Sequence, residues 1–134
     1  MEWGKNYKEF KGDGLGAINK LLETKSGYVE GAFYKQGLGA IDLVWGNKNY
    51  GIEHILKKRE KDYRHLGETK AKEKLKELLK NIPEVIEKGK KHEDEFNRIN
   101  IIYNNQKVGI NTKVNNKETG RRYIVTSYET REKQ

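Results

Sequence analysis

The chain contains no cysteine, a single proline and no apolar run that approaches the length of a membrane span. Without cysteine there is neither a disulfide nor a thiolate metal site. That suits a cytoplasmic protein, and equally a domain that must unfold, cross a membrane and refold without an oxidant. Acidic residues are in deficit: 28 Lys and Arg face 20 Asp and Glu, for a net charge of +8. A field of that sign favours nucleic acid, anionic lipid or an acidic protein as partner. Apolar residues make up 34% of the chain and charged residues 36%. The 134 residues (1–134) are therefore expected to form one domain with a modest core and a heavily charged surface. The opening Met1-Glu2-Trp3-Gly4 does not have the build of a targeting segment.

Periodicity orders the chain as helix, two strands, two or three helices, then three strands. Leu15, Ile18, Leu21 and Leu22 form one stripe of a helix over 13–24, with Asp13 or Gly12 as cap. Residues 28–34 and 40–45 read as a hairpin around Gln36-Gly37, and Gly31 marks a bulge. Residues 50–66 read as a helix with Ile52, Ile55, Leu56, Tyr63 and Leu66 on its apolar face. Residues 68–81 read as another, followed by a short continuation from Pro83 to Lys88. Lys90 to Asn97 reads as a charged connector. Strands over 98–103, 107–114 and 121–128 close the chain, with Asn104-Asn105 and Asn115-Asn116 as turn signals. Strands grouped this way predict an α+β domain with helices on one side of an antiparallel sheet.

Several residues could carry chemistry. His54 opens the 50–66 helix and lies far from the Ile52 stripe on a wheel stepped at about 100° per residue. It is either a plain surface histidine or an acid–base group, for which the ordinary titration range of histidine is suited. Lys57, Lys58 and Arg59 follow it. Lys58 shares the face of His54 and could offset charge on a phosphorane-like transition state, or be a solvated cation. Arg59 falls inside the apolar stripe, so it either snorkels or reaches across the sheet to a ligand, where its fork suits a phosphate. On the last strand, alternation puts Arg122, Ile124, Thr126 and Tyr128 on one face and Arg121, Tyr123, Val125, Ser127 and Glu129 on the other. Hydroxyl, phenol and guanidinium groups could bind phosphate there, and Tyr128 could stack on a base. Arg121, Arg122, Ser127 and Lys57 complete the candidate RNA contacts. Asp42 reads as structural, paired with a turn amide or Arg59. His65 and the His92-Glu93-Asp94-Glu95 run fit no standard metal spacing, so no metal or other cofactor is expected. Gly12, Gly14 and Gly16 follow no strand and lack the Lys-Ser/Thr ending of a phosphate loop.

Four segments together resemble a known family: 14–22, Gly31-Ala32-Phe33-Tyr34, the run Leu38-Gly39-Ala40-Ile41-Asp42-Leu43-Val44-Trp45-Gly46, and Gly51-Ile52-Glu53-His54-Ile55-Leu56. They are similar to the barnase/colicin type of endoribonuclease, the barnase-EndoU-colicin-RelE-like nucleases of phage-associated proteins and bacterial polymorphic toxins. The closing Tyr123-Ile124-Val125-Thr126-Ser127-Tyr128-Glu129 resembles the family's last strand. The chain departs from many relatives at Ala40, where an acidic residue is expected. The resemblance implies N-terminal helices on a twisted antiparallel sheet of about five strands. It implies metal-independent cleavage of RNA, often tRNA, by a toxin domain acting in the cytoplasm of a bacterial target cell. Delivery would be as the C-terminal part of a larger secreted or phage-associated protein. It carries a catalytic role to His54, a phosphate role to Arg59 or Lys58 and substrate contact to Thr126 and Tyr128. The expected chemistry is attack by the ribose 2′-OH to leave a 2′,3′-cyclic phosphate. An acidic immunity protein is the expected partner. Two other readings stay open: a non-catalytic RNA-binding or inhibitory module, and an EndoU-like variant using His54 and His65.

Overall fold

A computed structural model describes residues 3–96 and 98–130. Its elements are α1 (Gly14–Thr24), β1 (Tyr28–Lys35), β2 (Gly39–Val44), α2 (Gly51–Tyr63), α3 (Glu68–Lys88), β3 (Lys90–Glu93), β4 (Ile99–Tyr103), β5 (Gln106–Val114) and β6 (Lys117–Glu129). Among the described residues six strands form one sheet in the order β1-β2-β6-β5-β4-β3.

Local chemistry sets most boundaries. The Asp13 carboxylate accepts from the Gly16 N–H at 2.9 Å and starts α1, and Lys25 in the left-handed region ends it. Ala17, Ile18 and Leu21 bury the inner face, while Leu15 stays exposed. Asn104-Asn105 and Asn115-Asn116 all have positive φ, the two-residue turn whose twist matches the flanking strands. The β1–β2 register breaks between Val29 and Phe33, and Gly31 sits in that bulge at φ +60°. Helices α1, α2 and α3 cover one face of the sheet around Ile18, Leu21, Ile41, Leu43, Ile52, Ile55, Leu79, Ile82, Ile101 and Ile124.

Three features differ from the sequence expectation. First, the sheet is mixed: β2 runs parallel to β6, touching it at Asp42 and Tyr123. The chain passes through α2, α3 and the antiparallel strands β3 to β5 before β6 arrives, and β6 then meets β2 in the same direction. Second, Lys90–Glu93 is an edge strand paired with β4, not a connector. Its four exposed polar side chains carry no alternation, and charge is what an edge strand tolerates. Third, α3 runs unbroken through Pro83. Pro83 forfeits one backbone hydrogen bond, but buried Leu79, Ile82, Val85 and Ile86 hold both sides of it to the core.

Candidate nucleic-acid interface

Trp45, just past the end of β2, is scaffold that aims the start of α2. The Trp45 indole donates to Glu53 Oε1 at 3.1 Å, and the Glu53 N–H donates to the Trp45 carbonyl at 2.8 Å. Gly46 has φ +75°, and a Cβ there would overlap the Tyr50 carbonyl. The tight 46–50 loop brings the Lys48 carbonyl to 2.8 Å from His54 Nδ1. A carbonyl can only accept, so Nδ1 carries a proton, and in the neutral ring Nε2 holds the lone pair. His54 is half-buried and Lys58, one turn on, is exposed. Lys57 pairs with Glu53 at 3.1 Å.

Further along, α2 lies beside β6. Since β2 meets β6 at Asp42 and Tyr123, the later edge of β6 is left to the helix. Arg59 Nη1 donates to the Ser127 carbonyl at 3.1 Å and so satisfies that edge. Arg59 Nε lies 2.8 Å from Asp62 Oδ2, but off the N–H direction, so the buried Nε makes no hydrogen bond. The guanidinium sits over the Tyr128 ring at 5.2 Å, and Lys107 Nζ over the same ring at 5.4 Å.

The last strand does not alternate cleanly. Gly109 pairs with Thr126 and Ile110 with Ile124, so Val125 is an extra residue and faces swap there. Ile124 is in the helix-side core. Ser127 is fully buried, accepting from Gln106 Nε2 and donating to the Lys107 carbonyl. Thr126 and Tyr128, with Val125, line an open cleft of about 490 Å³ on the helix-free face. Its other walls are Lys107, Gly109, Asn111, Asn100 and the Arg98–Asp94 ion pair at 2.8 Å. Lys107 was not evident beforehand, because the β5–β6 register slips between Asn111 and Lys113 as well.

Neither His54 nor Lys58 lines this cleft, and the other candidates lie apart from it as well. Arg121 is bound to Asp42, which is fully buried: Nε to Oδ2 at 2.5 Å and Nη2 to Oδ1 at 2.9 Å. That carboxylate raises the guanidinium pKa above its ordinary value. Asp42 also accepts from the Gly31 N–H at 2.7 Å, so its partners are a bulge amide and Arg121, not Arg59. Arg122 is half-buried, and its buried Nε has no hydrogen-bond partner among the described residues. His65 is exposed in the 3-10 turn Arg64–Leu66 beyond the far end of α2, and α2 carries it away from His54. No cluster of three His, Cys, Asp or Glu stands together among the described residues. No helix among them is long and apolar enough to cross a membrane.

A sheet with helices on one face and a cationic, tyrosine-bearing cleft on the other defines a small α+β domain suited to a polyanion. Residues 32–134 match the family described as phage-Barnase-EndoU-ColicinE5/D-RelE like nuclease 1. The match covers most of the chain, from within β1 through β6, and the chain belongs to this nuclease family. No curated protein matches it.

Proposed function

We propose that the chain is an endoribonuclease toxin domain that cleaves RNA, with tRNA the foremost candidate, in the cytoplasm of a bacterial target cell. Lys107 and Tyr128 on the open sheet face, with Arg59 reaching the Tyr128 ring from α2 at the β6 edge, carry this reading, in a chain that belongs to a nuclease family. Two cations around an aromatic ring offer a phosphate a charge-assisted site and a base a stacking platform.

The nucleophile is the RNA's own 2′-oxygen. The O2′–P bond forms and the P–O5′ bond breaks, leaving a 2′,3′-cyclic phosphate and a 5′-hydroxyl. His54 Nε2 accepts the 2′-OH proton, consistent with a lone pair kept free by the Lys48 contact, and water protonates the departing 5′-oxygen. Arg59 and Lys58 offset the charge added at phosphorus, and Thr126 and Tyr128 position the phosphate. Arg122, Arg121, Ser127 and Lys57 would add RNA contacts only where their present bonds leave atoms free. Because the nucleophile belongs to the substrate, no metal-activated water enters the scheme.

A domain with this activity needs neutralising in the cell that makes it. An acidic immunity protein covering the cleft fits the +8 charge. Incubation of the purified chain with total tRNA and excess chelator tests the reading. Cleavage that persists with chelator and is lost in His54→Ala supports it. Binding without cleavage would favour the non-catalytic module, and equal loss in His65→Ala would favour the two-histidine variant.

A further inference from the structure

One position at the centre of the open sheet face, Gly109, carries no side chain. Asn100 on β4, Gly109 on β5 and Thr126 on β6 stand in one cross-strand row, and Ile102, Lys107 and Tyr128 form the next. Gly109 is buried in the middle of the central strand of this trio and has no positive φ, so the backbone there does not demand glycine. A Cβ at this position would come within 3.1 Å of the Thr126 methyl and 3.5 Å of Asn100 Oδ1. The Thr126 methyl and the Asn100 amide oxygen thus close in over Gly109, which lies at the floor of the 490 Å³ cleft. Glycine inside a strand commonly marks such a close approach. Among the described residues the Asn100 amide makes no hydrogen bond, and the Asn111 carbonyl oxygen accepts from Thr112 and Lys113 while its NH₂ stays free.

We infer that the cleft over Gly109 is a base-reading subsite. One nucleobase lies over Gly109, stacked against Tyr128, with its hydrogen-bonding edge read by Asn100 and Asn111. The inference rests on RNA being the substrate and adds that cleavage is base-selective. A phosphate alone would be served by Arg59 and Lys107 and would need no free amides. A side-chain amide presents one donor and one acceptor in a plane, the pairing that discriminates between base edges.

The test uses four short 2′-deoxy homo-oligonucleotides, one for each base, which bind but lack the attacking hydroxyl. Their affinities are measured by fluorescence anisotropy for the wild-type chain, Asn100→Asp and Gly109→Val, with circular dichroism confirming the fold. The wild type should prefer one base by at least about fivefold, the least that a planar amide contact supplies. Asn100→Asp, nearly isosteric, should change or erase that preference, and Gly109→Val should erase it by putting bulk on the cleft floor against Thr126 and Asn100. Equal, strongly salt-dependent binding of all four by the wild type would overturn the subsite and leave the RNA reading standing. Binding of none would overturn both.

Discussion

The Arg121–Asp42 pair supports a prediction that separates a structural arginine from a substrate-binding one. The Asp42 carboxylate has no exposure and receives three donors, two from Arg121 and one from Gly31. Arg121→Met keeps the length and packing of the stem but removes both guanidinium donors. A buried carboxylate with one remaining N–H is left, at a cost of about 3–5 kcal/mol. Asp42→Asn should cost less, about 1–2 kcal/mol. The amide still accepts from Gly31, and the Arg121 side chain is 35% exposed, so it can turn to water and to Glu30, 3.4 Å away. The double variant should be more stable than Arg121→Met alone. Urea unfolding at pH 7, followed by circular dichroism, reads all three as shifts in midpoint at constant slope. Equal losses below about 1 kcal/mol would mean a solvated surface pair and refute the reasoning. A fall in RNA cleavage without loss of stability would make Arg121 a substrate contact first.

Tyr128→Ala should weaken RNA binding by about 1–3 kcal/mol, whereas Tyr128→Phe, which keeps the ring, should stay near wild type; anisotropy with a non-cleavable RNA checks both. The Glu129 carboxylate accepts from the Tyr63 hydroxyl at 2.7 Å and pairs with Lys74 at 3.2 Å, which together hold its pKa below the ordinary 4.5. A folded-state pKa below the unfolded one contributes stability above pH 4.5 that is lost as pH falls through the folded value. Melting temperature against pH should therefore decline less steeply on the acid side in Glu129→Gln. Gly46→Ala should cost about 1–3 kcal/mol in urea unfolding, because φ +75° disfavours a side chain and its Cβ meets the Tyr50 carbonyl.

Features legible in the sequence are those set by neighbours in the chain. The Asp13 cap, the Gly31 bulge and both Asn-Asn turns depend on a few adjacent residues, and each forms as the residue types dictate. The residues that miss are governed by distant partners. Asp42 finds Arg121 79 positions away. Lys90–Glu93 becomes a strand because Ile99–Ile102 offers it an edge, which its own charged side chains do not announce. Alternation along β6 assigned Tyr128 and Ser127 to opposite faces, as found, but put Thr126 beside Ile124; the extra residue at Val125 reverses that. The cleft was half visible for the same reason: Thr126 and Tyr128 were named, whereas Lys107, Asn100 and Gly109 join them only through a slipped register.

We propose that this domain cuts RNA by using the substrate's own 2′-hydroxyl. The most direct measurement maps one cleavage site in an RNA, then offers the same RNA with a single 2′-deoxy nucleotide immediately 5′ of that bond, with products weighed by mass spectrometry. The account expects a 2′,3′-cyclic phosphate and a 5′-hydroxyl from the first substrate and no cleavage at that bond in the second. Cleavage of the deoxy-substituted bond, or a 5′-phosphate product, would contradict it.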